Sequence, residues 1–453
     1  MIWVYIASYV GLLLVVSYIF RRDASVDEYL MARRNASTIE VTFGLFTLIG
    51  GGELVTVASL GFLHGISGIA LFVGYSAAFI FLGLISSKIR KGGEEFNYVS
   101  LPDYVHKNFG LASGFISFIF SFLAFFALLM LQFATAGEVI SPITGMSYIQ
   151  VVSLIGVVVL AYLLIGGFKA VLVTDIFQGM AMILLVPAIL FATKSEFVSI
   201  TSVSTDTLPF LLWLSLVLTG FFVAAASADV WQRIYAAKDN TTARRGLFLG
   251  GISFIFYGLI LVYVGIAAKS LGVTSSDSAF VEVITNYLPS SASTFVIFLV
   301  LSAVMSTSDT EMFLLAAMVQ REIKRFPATL SFLNPPDSEP DHYLNTVSRT
   351  RIIMLFIGIV SILFAFFCRG LVDIYIWLLS AIIVISPIVL FSLFKKASSA
   401  GMFVSMLANT VAFAILVFSG YLNIDNIYII CIPGIFFYLV SLIFFPRNIA
   451  LSD

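Results

Sequence analysis

An all-α polytopic membrane protein of about thirteen transmembrane helices is the fold class the sequence predicts, on three observations. Hydrophobic residues make up 60% of the 453 and charged residues only 11%, with a mean hydropathy of +1.06, where a soluble domain averages about 45–50% and ~25%. The apolar residues come in runs long enough to cross ~30 Å of hydrocarbon. The basic residues fall almost wholly on alternate links between those runs. A net charge of −1 and short, dispersed basic clusters give no nucleic-acid surface. Cys368 and Cys431 are too few for a disulfide framework, and His64, His106 and His342 lie far apart without ligand spacing.

Residues 2–20 are long enough to span, lack a basic leader and precede Arg21 and Arg22, which predicts a retained first helix with its N-terminus outside and not a cleaved signal. Further apolar segments follow at 39–65, 67–88, 111–139, 148–166, 174–193, 210–230, 247–268, 293–320, 350–367, 371–394, 400–420 and 427–445. Thirteen crossings put the C-terminus inside, and on that orientation 21 of the 24 Lys and Arg residues are cytoplasmic, Arg233 among them. Lys194, Lys269 and Arg369 fall outside. The polar stretch 325–349 is too short to bury a core, so the chain reads as one transmembrane domain.

Within it, 39–193 and 210–394 are two blocks of five segments, flanked by an extra helix and loop at 1–38 and two helices in 395–453. An odd number of crossings per block inverts one against the other, a transporter architecture in which each leading helix is broken at the midplane. Both leading segments carry the expected weakness. Gly50, Gly51 and Gly52 stand in mid-span before Glu53, and Gly220 precedes a run of small residues from Ala224 to Ala228. Each glycine costs a helix about 1 kcal/mol relative to alanine, so the triplet serves either a break or close helix packing.

The segment 301–325 puts hydroxyls and acids into an apolar helix. Ala303, Ser306, Thr307 and Thr310 share about a third of the circumference at ~100° per residue, so their oxygens can converge on one small ligand, with Asp309 flanking. Intramembrane acids mark ion or substrate paths because burying the charge is expensive. The alternative is hydroxyls bonded back to the preceding turn or joining helices.

Five stretches then resemble the sodium:solute symporter family in order and at the expected depths: DEYLMARRNAS (27–37), LPDYVHKNFG (101–110), IGGFKAVLVTDIFQG (165–179), QRIYAAKDNTTARRG (232–246) and SAVMSTSDT (302–310). The resemblance implies the five-plus-five inverted-repeat fold and a sodium ion between the broken leading helix and the ninth helix. Carried over by position, it implies the carbonyls of Phe46, Ile49 and Ala303 and the hydroxyls of Ser306 and Thr307 as ligands. It also implies a second sodium or proton site from Asp175, with Ser306, Thr310 and Asp309, unless Asp175 merely caps the sixth helix.

Glu53, Glu311 and Asp229 depart from the family pattern. Glu53 should meet substrate or a proton, while Asp229 reads as a salt bridge at the cytoplasmic end. Gly50–Glu53, Gln132, Trp213 and Phe221 are candidate substrate contacts, the last three with core packing as the alternative. No Lys or Arg is expected deep in the bundle. The sequence has no nucleotide-binding loop, metal cluster or nucleophile–base pair, which argues against a pump or an enzyme. The expected function is sodium-coupled symport of a small polar solute, such as an amino acid, amine, sugar or vitamin, across the cell membrane, with no required protein partner evident. Proton-coupled or uncoupled transport is the alternative, or a solute sensor with a separate signalling partner, since no signalling domain follows 444–453.

Overall fold

Helices begin where the sequence supplies a cap. Ser37 and Glu40 close a capping box, Ser37 N–H donating to Glu40 Oε2 at 2.8 Å and Glu40 N–H to Ser37 Oγ at 3.3 Å. Asp239 caps another helix by accepting from Thr242 N–H at 2.7 Å. In the computed structural model, residues 2–21, 25–192, 208–287, 293–325, 342–368, 370–423 and 426–444 are described. Arg22, Lys194, Arg369 and Arg447 of the charge pattern, much of the 325–349 stretch and the end of the chain from 445 lie outside the described residues.

The helices are α1 (Ile2–Ile19), α2 (Val26–Met31), α3 (Thr38–Phe46), α4 (Gly51–His64), α5 (Ala70–Phe96), α6 (Leu101–Phe109), α7 (Leu111–Thr144), α8 (Tyr148–Ile165) and α9 (Phe168–Ala192). They continue as α10 (Phe210–Ala225), α11 (Ala228–Ala236), α12 (Asn240–Ser270), α13 (Ala279–Glu282), α14 (Ser293–Ile323), α15 (His342–Ala365), α16 (Leu371–Ser392), α17 (Ser399–Phe418) and α18 (Cys431–Phe444). Among the described residues nine helices are long and apolar enough to cross a membrane, or ten with the bent pair α10–α11 taken as one span. Here α4 and α5 run together through a 3₁₀ turn as one apolar stretch of 46 residues.

Both leading segments are broken. The first is interrupted between Phe46 and Gly51, and the second bends by 47° between Ala225 and Ala228. The first break lies earlier than the glycine triplet as a whole: it takes in Ile49, ends on Gly50, and Gly51 and Gly52 already belong to α4. The sixth apolar segment also begins earlier, at Phe168 instead of 174, because Gly166 and Gly167 end α8 directly before it.

Packing sorts the helices into two groups. The broken pairs α3–α4 and α10–α11 gather with α5 and α12, while α7, α8, α14 and α15 pack on one another; α9 lies along α14 and α3, and α16 along α7 and α10. The two broken pairs are tied at one end, where Ala36 N–H donates to Ala236 O at 2.9 Å and Lys238 N–H to Ala36 O at 3.0 Å. At the foot of α14, Arg325 and Arg321 face Asp103 of α6, which also accepts from Val99 N–H at 2.7 Å. Burial alone would raise the Asp103 carboxyl, but the two guanidinium groups and these hydrogen bonds hold it below the ordinary range.

Gly74 and Gly220 let α5 and α10 meet backbone to backbone. A Cβ on Gly220 would stand 2.1 Å from Leu71 O, whereas one on Gly11 would meet nothing within 4 Å. Gly220→Val should therefore lower the thermal unfolding midpoint of the detergent-purified protein by the equivalent of about 1–3 kcal/mol, and Gly11→Ala, inside a helix with open space, should not lower it.

Candidate functional site

A break inside a membrane leaves peptide groups that no water can satisfy, so side chains must reach them. After α3 ends, the Thr47 hydroxyl donates back to Phe43 O at 2.9 Å and Ile49 N–H to Phe46 O at 3.2 Å. Gly50, in extended conformation, begins α4. Its N–H donates to Glu53 Oε2 at 3.0 Å, and Gly51 N–H donates to Gln132 Oε1 of α7 at 2.6 Å. The glycines permit this approach. A Cβ on Gly50 would be 2.5 Å from Thr307 Oγ1, one on Gly51 2.8 Å from Val304 Cγ2 and one on Gly52 2.3 Å from Leu131 Cδ2.

The hydroxyl run of α14 faces the same break. Thr307 Oγ1 lies 2.9 Å from both Thr47 O and Ala303 O, and Ser306 Oγ lies 3.1 Å from Ala303 O and 3.4 Å from Thr47 O. Each hydroxyl has a single hydrogen, so the group is a cluster of oxygens held together by too few protons. A hard cation suits such a set of carbonyl and hydroxyl oxygens. The structure thus brings Ala303, Ser306 and Thr307 together with the break. The carbonyl it turns to the hydroxyls is that of Thr47, which the sequence reading missed although it lies between the expected Phe46 and Ile49.

One turn further along, the expectation that no cation lies deep in the bundle is overturned. Arg233, assigned to a cytoplasmic segment, is fully buried on α11. Its Nη2 donates to Asp175 Oδ2 at 3.2 Å and to Thr310 Oγ1 at 3.0 Å. Room for it comes from α3, where a Cβ on Gly44 would stand 2.5 Å from Arg233 Nε. Asp175 does not cap a helix, since α9 begins two turns before it. Asp309 accepts from the Tyr162 hydroxyl at 2.9 Å and the Thr174 hydroxyl at 3.4 Å, and its Oδ1 has no hydrogen-bond partner among the described residues.

A cavity of about 40 Å³ lies between the breaks, lined by Glu53, Asp229, Tyr75, Phe79, Phe125 and Phe254 among others. That admits only a few waters, so an organic solute requires the walls to part. Asp229 is not the cytoplasmic salt bridge expected of it. Its Oδ1 accepts from Ser227 Oγ at 2.5 Å and Val230 N–H at 2.6 Å inside the second break. Trp213 and Phe221 are not among the lining residues. Trp213 is half-buried in the first turn of α10, and Phe221 packs on Phe81 and Phe222 with ring centroids 5.5 Å away.

One interrupted helix meeting an oxygen-lined face of α14, and a second interrupted helix across a small cavity, are the features of a broken-helix membrane transporter. The chain belongs to the sodium:solute symporter family, whose model matches residues 29–409. This is a family of transporters and not of enzymes. The chain is 26% identical to a sodium/pantothenate symporter of Haemophilus influenzae over 332 residues, 69% of this chain and 66% of that one. It is 23% identical to a putative sodium-dependent multivitamin transporter of Drosophila melanogaster over 277 residues, 53% of this chain and 44% of that one. The alignment covers less than two thirds of either relative's length. The fold is similar to that of a Na⁺-coupled sialic acid symporter in a substrate-bound outward-open state, with a TM-score of 0.79 and 16% identity over 98% of this chain and 96% of that one.

The buried pair supplies a test of the geometry. Asp175→Ala leaves the Arg233 guanidinium without its carboxylate and should cost about 3–5 kcal/mol in thermal or denaturant unfolding, whereas replacing both partners by leucine and methionine should recover most of it. An Asp175→Ala protein as stable as the native one would show that the pair does not form.

Proposed function

We propose that the chain is a sodium-driven symporter that carries a small polar organic solute across the cell membrane by alternating access. The observation that carries the reading is the approach of the Ser306 and Thr307 hydroxyls to the Thr47 carbonyl at 2.9–3.4 Å, across the break of a family whose members couple to sodium. Sodium entering there takes the oxygens of Ala303, Ser306 and Thr307 with carbonyls of the break from Phe46 to Ile49. It stiffens the join between α3 and α4, and with it the wall of the cavity carrying Gly50 to Glu53. Each sodium moving inward gains about 2.3 kcal/mol per 100 mV of membrane potential, which is the driving force for the solute.

The same reading keeps thirteen crossings with the N-terminus outside, the C-terminus inside, and blocks 39–193 and 210–394 as inverted repeats. Two breaks, one in each leading segment, support it. It places a single sodium. At the expected second site the charge beside Asp175 and Thr310 is the Arg233 guanidinium, so Asp175 and Thr310 hold an internal cation, while Asp309 bonds Tyr162 and Thr174. A proton-coupled carrier is the second reading, favoured by the unpartnered Asp309 Oδ1.

Sodium binding is measurable without knowing the solute, because a ligand stabilises the state it binds. The thermal midpoint of the purified chain should rise with sodium chloride and not with potassium chloride at equal ionic strength. Thr307→Ala should raise the sodium concentration for half-maximal stabilisation at least tenfold. Equal responses to the two salts would sink the sodium assignment, and a response to pH alone would favour the proton.

A further inference from the structure

The acids and bases lining the central cavity are of one kind, two carboxyl groups with no Lys, Arg or His. Glu53 and Asp229 line it, and each turns one carboxylate oxygen to a backbone N–H, Gly50 at 3.0 Å and Val230 at 2.6 Å respectively. Glu311, one turn beyond Thr307 on α14, is 0% exposed, and neither of its carboxylate oxygens has a hydrogen-bond partner among the described residues. The charged groups bearing most on it are Glu53 first, then Asp229, Asp309 and Arg233. Of these only Arg233 is a cation, and its guanidinium is engaged by Asp175 and Thr310.

A buried carboxylate without a partner is costly, so each acid here is held by a proton or by a counter-charge, and a cationic ligand can take the proton's place. A metal ion does not fit, because among the described residues no three acidic, His or Cys side chains are placed to hold one. The space open to a larger cation is the cavity that Glu53 and Asp229 line. The wall around it is aromatic, with Tyr75, Phe79 and Phe254 facing the same space. Aromatic faces attract cations and offer nothing comparable to an anion. An anionic head would meet like charges here, and a neutral one would leave the acids unpaired.

Building on the symport reading, we propose that the transported solute is an organic cation bearing an amine, quaternary ammonium or guanidinium head. Glu53 and Asp229 line the space for the head, Glu311 stands buried on α14 as a further acid acting on it through space, and the aromatic wall covers the body. The approach of α4 and α11, which bring Glu53 and Asp229 to the same cavity, closes the site around the charge. Solute size is set by how far the breaks part.

The test uses the full chain in lipid nanodiscs with choline, agmatine and putrescine as cationic probes, against glucose, proline and pantothenate, each in sodium and in potassium chloride. At least one cationic probe should raise the thermal midpoint in sodium, with pantothenate and glucose inert. Glu53→Gln should weaken that probe at least tenfold. Glu53 also caps α4, so Glu311→Gln, whose carboxylate bonds no described group, carries the same test if the first variant does not fold. No effect of any cation, or equal binding by the native protein and both amide variants, overturns the proposal. Sodium-dependent binding of a neutral or anionic probe alone overturns it while leaving the symport reading intact. Cation binding indifferent to sodium supports the site and sinks the coupling.

Discussion

The constraint on which the rest of this structure depends is that an interrupted helix in hydrocarbon must have its freed peptide groups satisfied by something other than water. At the break before Gly51 this falls to side chains from two other helices and one from the break itself. Gln132 accepts from Gly51, Glu53 from Gly50, and the hydroxyls of Ser306 and Thr307 reach Thr47 O. Each is an exchangeable partner. A carbonyl held by a hydroxyl proton can be held by a cation instead, with the hydroxyl oxygen as a further ligand, and that exchange links an ion to the shape of the helix. The glycines beside the break follow from the same constraint, since α7 and α14 must approach within distances that exclude a Cβ.

The buried Asp175–Arg233 pair works on the same elements from the other side. A buried ion pair is poor evidence of net stability, because desolvation offsets most of the attraction. Its geometric effect is clearer. The guanidinium leaves α11, passes Gly44 of α3 and ends on α9 and α14, so it joins both broken helices to the two helices that flank them. A motion separating the broken pairs from α14 has to break or carry these bonds. The Ser306–Thr307 hydroxyl cluster lies one turn away on α14, so an ion bound there as proposed would sit beside the ion pair on the same helix.

Much of the candidate site was legible because its residues violate the rule of their surroundings. Hydroxyls and acids in 301–325 stood out against apolar neighbours, and Gly50 to Gly52 stood out against helix propensity. What escaped was depth. Arg233 belongs by sequence to a link rich in basic residues, and a charge count over links cannot tell an arginine that stays at the interface from one that turns inward. Asp229 was misjudged for the same reason. For Trp213 and Phe221 residue type points to the helix but not to the side that faces the cavity, which is a property of the rotation of α10 that its mostly apolar sequence does not encode.

The sequence by itself determined the membrane class, the places where helices are weak and the α14 hydroxyl face, because each rests on composition or local periodicity, and the family through the resemblance of five ordered stretches. Only the tertiary structure decided that the break ends on Gly50, that Thr47 meets Ser306 and Thr307, and that Arg233 lies between Asp175 and Thr310. These are contacts between segments 58 to 260 residues apart. No local rule specifies them, since in lipid the surfaces that face neighbours and the surfaces that face hydrocarbon are built from the same side chains.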